Sequence, residues 1–258
     1  MNAAATIKRN MPEWLKNPVR SGVWKQLGLS WKLRSGIKVR IASHADWIIY
    51  NEIFVNGEYD LPIREVLKSA LREQPLVVCD LGANVGYFSL RFADLLLQEG
   101  FSAECFRGRL FEGSPKLVQE LTTRLAAQGR LADRFECFHG LVGEKEGSAR
   151  IMETHRHFAN AIIHKSNQSG VEVPYLDLSR IYQETEHIDL LKCDIEGAEA
   201  SFLRNYPDLT AKAAHAVIEF HREACDVDEA CASLGCSGLH LQAKLREERD
   251  FAVYYFSR

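Results

Sequence analysis

The chain has 258 residues, and its shares of hydrophobic (46%) and charged (26%) residues are ordinary for a globular protein with one substantial core. Its net charge of -3 argues against a polyanion and against a general nucleic-acid binder. The seven cysteines stand singly without a CxxC pair, which argues against a disulfide framework or zinc knuckle and favours a reducing, cytoplasmic compartment. No apolar run reaches the length of a membrane span, so we expect no transmembrane segment.

Residues 1–70 are predicted to form an N-terminal extension that differs from the rest of the chain. Residues 1–40 carry a charge of +8, which leaves -11 for the remainder, and all four tryptophans precede residue 48. The spacing of Trp24, Leu27 and Trp31 could place them on one helical face. Three roles stay open for the extension: packing on the core or on a second copy in a homodimer, forming a lid over an anionic or glycosylated acceptor, and docking on a membrane surface.

Three further elements are predicted before residue 71. The stretch GIKVRIAS is typical of a strand, and ADWIIYNEIF and LPIREVLKSAL are typical of helices, the second beginning near Asp60 and Pro62.

Residues 71–258 are predicted to form one α/β domain. Short apolar runs alternate with helical patterns, which indicates a mostly parallel sheet with helices on both faces. Residues 140–185 break this rhythm with two extended stretches and predict a hairpin-like insertion near the ligand crevice. The predicted strands are LVVCDLG, RGRLFEG, RFECFHG, IDLLKCDIEG, HAVIEFH and FAVYYFS.

Polar residues stand where these strands end. Ligands of such sheets bind beyond the carboxyl ends of the strands, so these side chains are candidates for binding or catalysis. They are Asp80, Glu112, His139, Asp194 and His221.

The stretch VVCDLGANVGYFSL resembles a nucleotide-binding turn, but it does not fit a dinucleotide. The G-x-G-x-x-G pattern begun at Gly82 places Asn84 and Tyr87 where the second and third glycines belong. The spacing Asp80-x-Gly82-x-Asn84-x-Gly86 fits instead, because asparagine tolerates a left-handed turn. Such a loop suits a ligand that presents a carboxylate, rather than a pyrophosphate, to a helix N-terminus.

S-adenosylmethionine has the parts that these residues would hold. Glu112 could accept hydrogen bonds from two ribose hydroxyls, and acidic strand ends favour a sulfonium cation. The chain resembles the FkbM family of S-adenosylmethionine-dependent O-methyltransferases. The matching stretches span about residues 76–221: VVCDLGANVGYFSL, LFEGSPKLVQEL, HGLVGEKEGSARI, VPYLDLSRI, IDLLKCDIEGAEASFL and VIEFH.

The resemblance implies a class I, Rossmann-like methyltransferase fold, with a seven-stranded sheet that ends in an antiparallel hairpin near 238–257. It also implies methylation of hydroxyl groups, often on sugars or polyketide-type natural products. The acid-Pro pair usual after the second strand is replaced here by Glu112-Gly113-Ser114-Pro115. The residues that we assign to the cofactor are Asp80, Gly82, Ala83, Asn84, Gly86, Tyr87, Phe88, Glu112, Gly113, His139, Gly140 and Asp194.

Methyl transfer to a hydroxyl needs alignment of the acceptor and removal of a proton. Four residues are candidates for this work: Asp194, Glu196, Glu219 and His221. His221 has the side chain best suited to accept a proton near neutral pH. Each also has an ordinary structural explanation: Glu196 favours a helix N-terminus, and His221 could be a hydrogen-bonded strand-end histidine.

A metal site is a weaker alternative. The same four residues could hold Mg²⁺, but no dedicated spacing is present, so the sequence favours a site without metal. His155, His157 and His164 lie in a polar loop, where histidines are more often solvated than ligating. Asn160-Ala161 falls where the family tends to carry an Asn-rich active-site loop.

Two other functions compete with O-methylation of a small-molecule or glycan hydroxyl. The basic N-terminus suggests a nucleic-acid methyltransferase, but the acid/Asn-Pro-Pro-aromatic turn of base methyltransferases is replaced by Asp194-Ile195-Glu196-Gly197. A non-catalytic protein that only binds the cofactor is the third possibility, and the retained acidic strand ends argue against it.

Overall fold

The computed structural model describes residues 28–71, 74–152, 161–162 and 170–258. Its strands are β1 (Leu29–Lys32), β2 (Lys38–Ile41), β3 (Leu76–Leu81), β4 (Phe106–Glu112), β5 (Phe135–His139), β6 (Ser148–Met152), β7 (Ala161–Ile162), β8 (Val171–Pro174), β9 (Ile188–Cys193), β10 (Ala213–His221), β11 (His240–Glu247) and β12 (Phe251–Ser257). Its helices are α1 (His44–Tyr50), which continues into a π-helical turn (Asn51–Val55), α2 (Asp60–Ser69), α3 (Tyr87–Gln98), α4 (Pro115–Ala126), α5 (Leu178–Ile181), α6 (Glu199–Asn205), α7 (Pro207–Lys212) and α8 (Val227–Cys236). Short 3-10 turns cover Ala103–Cys105 and Gly129–Arg134.

A seven-stranded sheet forms the centre of the fold, in the order β11-β12-β10-β9-β3-β4-β5. The five strands from β10 to β5 are parallel, and β12 and β11 add an antiparallel hairpin at the other edge. This arrangement confirms the predicted α/β sheet and its terminal hairpin. It also brings the carboxyl ends of β3, β4, β9 and β10 to one edge of the sheet.

Both faces of the sheet are covered. Along β3, Val78 belongs to the hydrophobic cluster that contains α3 and α4 residues, and Cys79 belongs to the cluster that contains α6 and α8 residues. Successive strand residues point to opposite faces, so the near-continuous apolar runs of β3 and β9 fill two cores. Cys79 and Cys193 are fully buried.

A local capping signal marks the start of α4. Ser114 caps α4 by accepting a hydrogen bond from the Leu117 N–H at 3.3 Å, and Pro115 is the first helical residue.

The insertion is a three-stranded antiparallel sheet in the order β7-β6-β8. No helix in the described ranges is both long and apolar enough to cross a membrane.

The N-terminal part differs from the helical face that the Trp24–Trp31 spacing suggested. Trp31 lies in β1, which pairs with β2 as a hairpin around a turn where Gly36 has a φ of 100°. A strand therefore replaces the predicted helix at Trp31, because the following GIKVRI segment supplies it with a partner. Trp24, Leu27, His155, His157, Asn160 and His164 lie outside the described residues.

Candidate active site

The turn between β3 and α3 has the backbone that its sequence predicted. Gly82, Asn84 and Gly86 have φ angles of 76°, 52° and 86°, so asparagine occupies the left-handed conformation. A Cβ atom added to Gly82 would lie 1.7 Å from the Asp194 carbonyl oxygen. Only glycine therefore lets this turn approach the end of β9 so closely.

Glu112, at the end of β4, is held against this turn. Its Oε2 accepts a hydrogen bond from the Asn84 N–H at 2.9 Å, and its Oε1 accepts one from the Ser114 N–H at 2.8 Å. Burial raises the pKa of Glu112, whereas these two amides act to lower it. Each carboxylate oxygen keeps a further lone pair, and the carboxylate lines a small cavity of about 80 Å³ together with Gly113 and Gly140.

The turn after β9 is the second tight turn of the site. Glu196 and Gly197 have φ angles of 54° and 98° in succession. The left-handed conformation of Glu196 costs roughly 1–2 kcal/mol, and such strain is common where function requires it. The Oε1 atom of Glu199 accepts the N–H groups of Ile195 at 3.3 Å and Gly197 at 3.0 Å, which fixes the turn.

Lys192 joins the two turns from beneath. Its buried Nζ donates to the Gly82 carbonyl oxygen at 2.6 Å and lies 3.4 Å from Asp80 Oδ1 and 3.5 Å from Asp194 Oδ2. Burial alone would lower the pKa of Lys192, but the Asp194 and Asp80 carboxylates raise it. Lys192 is therefore a buried cation that holds the glycine-rich turn against the end of β9.

His221, at the end of β10, is surrounded by carboxylates. Its Nδ1 lies 3.0 Å from Glu199 Oε1, and its Nε2 lies 3.3 Å from Glu196 Oε2 and 3.9 Å from Glu219 Oε1. Burial opposes the charged ring, but hydrogen bonds to Glu196 and Glu199 raise the pKa of His221 to about 11. Burial and the neighbouring Asp194 raise the pKa of Glu219 to about 9.

These groups open into a larger cavity of about 450 Å³. One wall is formed by the two turns and the strand ends, and the other by the N-terminal helical segment and the terminal hairpin. Gly82, Asn84, Asp194 and Glu196 line both this cavity and the smaller one, so the two adjoin. The larger cavity is also lined by Ile48, Ile49, Glu52, Ile53, Glu58, Tyr59, Ala83, Val85, Tyr87, Phe88, Lys192, Glu219, His221, Arg246 and Phe251.

Ligand atoms of Asp194, Glu219 and His221 lie within 4.8 Å of one another, close enough for one metal ion. The sequence-based preference for a site without metal, and the Mg²⁺ alternative, both stay predictions. A bound metal and a proton-accepting His221 would exclude each other, because both use the same lone pair.

The structure brings together the four predicted catalytic residues, Asp194, Glu196, Glu219 and His221, at the larger cavity. Their assignment as catalytic stays a prediction.

Three residues assigned to the cofactor direct their polar atoms elsewhere. Asp80 is fully buried and accepts a hydrogen bond from the Ser89 hydroxyl at 2.7 Å. The Tyr87 hydroxyl donates to the Arg40 carbonyl oxygen at 2.6 Å, although its ring lines the larger cavity. His139 places Nε2 3.1 Å from the Gly113 carbonyl oxygen. Asp80 and Tyr87 therefore shape the turn and the wall.

Two important residues were missed from the sequence. Lys192 stands inside the apolar run IDLLKC and reads as a polar interruption of a strand. Glu199 reads as an acidic residue at a helix N-terminus, which needs no partner. Position could have found Lys192, which lies two residues before Asp194 on the same side of the strand. No signal in the sequence indicates the role of Glu199, because it depends on the positive φ angles of Glu196 and Gly197.

A comparison with models of protein families identifies the family of this chain. The model of the methyltransferase FkbM domain matches residues 80–235, more than half of the chain. The chain belongs to the FkbM methyltransferase family. The resemblance seen in the sequence is therefore confirmed, and the seven-stranded sheet agrees with the methyltransferase fold that it implied.

Solved structures resemble this FkbM-family chain only distantly. The methyltransferase FkbM of Methylobacillus flagellatus KT is 18% identical, with a TM-score of 0.47 over 71% of this chain and 44% of that chain. The magnesium protoporphyrin IX methyltransferase of Synechocystis PCC 6803, solved with bound S-adenosylmethionine, is 12% identical, with a TM-score of 0.48 over 100% of both chains. Likeness at this level carries no argument about what this chain does. A search of the curated proteins gave no significant match.

Proposed function

We propose that this FkbM-family chain is an S-adenosylmethionine-dependent O-methyltransferase that modifies a hydroxyl group of a sugar or another small-molecule acceptor. The observation that carries the proposal is the larger cavity. His221 and three acidic side chains, those of Asp194, Glu196 and Glu219, line a space of about 450 Å³ that adjoins the glycine-rich turn. Such a site can orient a hydroxyl and accept its proton.

The residues around the smaller cavity fit S-adenosylmethionine. The free lone pairs of Glu112 match the two ribose hydroxyls, since each of its oxygens holds only one backbone N–H within the described chain. Asp194 and Glu196 line both cavities and suit the positive sulfonium. When bound, S-adenosylmethionine supplies the methyl group.

In the proposed reaction, Asp194 and Glu196 would lie beside the sulfonium of the cofactor, which would supply the methyl group to the acceptor oxygen. The hydroxyl proton passes to Nε2 of His221. Without a ligand, the pKa of about 11 keeps the ring protonated at neutral pH. A cation that enters beside the same carboxylates lowers the pKa of His221, because like charges disfavour the charged ring. A bound sulfonium therefore acts in the direction of a neutral, proton-accepting His221.

The charge of the larger cavity supports a neutral acceptor over a nucleic acid. Its far wall adds Glu52 and Glu58, and Arg246 lies 2.9 Å from Glu52. Among the described residues of this cavity, a phosphate backbone would meet several acidic side chains, and the cations there are already paired with them.

Two experiments test the proposal in sequence. Thermal unfolding with S-adenosylhomocysteine, S-adenosylmethionine or NAD tests the cofactor, because a ligand at about 100 times its dissociation constant stabilises a fold by roughly 2.7 kcal/mol. Stabilisation by the first two alone is expected, and stabilisation by NAD alone would refute the cofactor assignment.

Transfer of a labelled methyl group is then measured to a panel of neutral glycosides and hydroxylated natural products, with RNA as a contrasting arm. Label is expected on a hydroxyl oxygen, located by fragmentation in a mass spectrometer. Label confined to RNA would replace the proposed acceptor class with a nucleic acid.

A further inference from the structure

We infer that Glu199 is a positioning residue, whose buried carboxylate binds Nδ1 of His221 and thereby presents Nε2 to the larger cavity. This inference rests on the proposed role of His221 as the proton acceptor. It concerns the histidine itself, so it can be examined without knowledge of the acceptor.

The contact between the two side chains is short and sheltered. Glu199 Oε1 lies 3.0 Å from His221 Nδ1, and the Glu199 side chain is 0% exposed against 23% for His221. The same Oε1 accepts the N–H groups of Ile195 and Gly197, so the carboxylate is held by the turn between β9 and α6. When His221 binds this carboxylate, the orientation of its ring is fixed by the backbone of the turn and by the start of α6.

The cost of burying Glu199 also points beyond a structural role. Its Oε2 atom is buried and has no hydrogen-bond partner among the described residues. A buried, half-satisfied carboxylate destabilises a fold, and a glutamine could satisfy the same turn without the charge. The charge becomes useful if it stabilises the imidazolium that forms when His221 takes a proton.

The geometry also selects which ring nitrogen reacts. The N–H at Nδ1 donates to Glu199, so the neutral ring carries its lone pair on Nε2. Nε2 is the nitrogen on the side of Glu196 and Glu219, at 3.3 Å and 3.9 Å from their oxygens, and both residues line the larger cavity. Glu199 therefore contacts the His221 ring at Nδ1, on the side away from the cavity, whereas Asp194, Glu196 and Glu219 face the ring from the cavity.

The first test is nuclear magnetic resonance of the ¹⁵N-labelled His221 ring in wild type and in Glu199→Gln. In wild type we expect a hydrogen-bonded proton on Nδ1. In the Gln variant the hydrogen-bond acceptor remains but the charge is lost, so the pKa of His221 should fall by about 1–3 units. Glu199→Asp, which keeps the charge, should restore a pKa closer to that of wild type.

Glu144→Gln is the matched control. Glu144 also anchors α6, by accepting a hydrogen bond from the Ser201 hydroxyl at 2.7 Å, and it has no contact with His221 in the described chain. A purely structural role for Glu199 predicts equal effects of the two Gln substitutions on the His221 ring.

Two results would overturn the inference. One is a wild-type ring whose Nδ1 carries no hydrogen-bonded proton, a measurement that needs no variant to fold. The other is a folded Glu199→Gln protein with an unchanged His221 pKa.

Binding of S-adenosylhomocysteine separates this inference from the proposed function. Glu199→Gln should keep the thermal stabilisation by S-adenosylhomocysteine. Its methyl transfer should fall, by up to the roughly 10²–10⁴-fold that a general base contributes, even though more of its His221 ring is neutral, because the imidazolium that forms has lost its countercharge. In a His221→Asn background, Glu199→Gln should have no further effect on kcat, because Glu199 acts through the histidine. Loss of ligand binding in wild type itself would instead refute the cofactor assignment.

Discussion

Replacing Arg124 by methionine should destabilise the fold strongly, because it strips a buried carboxylate of its cation. Arg124 in α4 and Asp46 in α1 form an ion pair with 2.6 Å between Nη2 and Oδ2. Their side chains are only 4% and 1% exposed. Arg124 also donates to the Arg40 carbonyl oxygen at 2.8 Å and to the Tyr87 hydroxyl at 3.0 Å. One side chain thus joins the N-terminal hairpin, α1 and the start of α3.

The magnitude follows from what remains after the substitution. Breaking a buried ion pair by removing one partner typically costs 3–5 kcal/mol, because the other charge stays buried. For a chain of this size, each kcal/mol lowers the melting temperature by roughly 2–4 °C, so a fall of roughly 6–20 °C is expected. Urea unfolding followed by circular dichroism measures the free energy of unfolding directly.

Arg64→Met is the matched control. Arg64 pairs with Glu99 at 2.9 Å, but the two side chains are 45% and 48% exposed, so its loss should cost about 1 kcal/mol or less. The double variant Asp46→Asn/Arg124→Met should recover part of the lost stability, since no buried charge is left behind.

The pH dependence of the free energy of unfolding gives a second test of the Arg124–Asp46 pair. Burial alone would raise the pKa of Asp46, but Arg124 and the hydrogen bonds lower it below the ordinary value. The stabilisation that the ionised Asp46 gives to the folded protein is present above about pH 4 and is lost as pH falls through the pKa of Asp46 in the folded state. In the variant, burial is left to raise the pKa, so its stability deficit should shrink as pH falls from 7 to 4. A deficit below 1 kcal/mol at pH 7 would refute the reasoning.

Two further predictions address the site. Gly82→Ala should abolish the stabilisation by S-adenosylhomocysteine, because the added Cβ would overlap the Asp194 carbonyl oxygen. Gly129→Ala is the control, since Gly129 has a similar φ of 64° and open space around it. Equal effects of the two substitutions in thermal unfolding would point to backbone strain alone. Glu219→Gln should stabilise the protein increasingly between pH 5 and 9, because the raised pKa of about 9 means that ionisation of Glu219 opposes folding as pH rises. Urea titrations of the exposed control variant Glu186→Gln should show no such trend. A difference in unfolding free energy between Glu219→Gln and wild type that does not change with pH would contradict the raised pKa of Glu219.

The cofactor side of the site could be predicted from the sequence because its signals are local. The turn VVCDLGANVGYF carries its own backbone requirements, and Asn84 adopts the left-handed conformation that its spacing predicted. Ser114 and Pro115 likewise mark the start of α4 without reference to the rest of the chain. Strand ends follow from the alternation of strands and helices, which placed Glu112 and His221 at one edge of the sheet.

The rest could not be predicted because it depends on residues that are distant in sequence. Arg124 and Asp46 are 78 positions apart, and neither stands in a pattern that indicates a partner. Glu199 reaches His221 only because Glu196 and Gly197 both adopt positive φ angles, and a glutamate gives no sign of that conformation in the sequence.

The two walls of the larger cavity have different origins. The wall that carries Asp194, Glu196 and His221 lies within residues 80–235, which the family model matches. The opposite wall is built from residues 48–59 and from Arg246 and Phe251, all outside that range. Helix α1 of this opposite wall is tied to the start of α3 through the Arg124–Asp46 pair and the Tyr87 hydroxyl. Chemistry that the family shares is therefore expected on the first wall, and selection of the acceptor on the second, because an acceptor in the cavity contacts both.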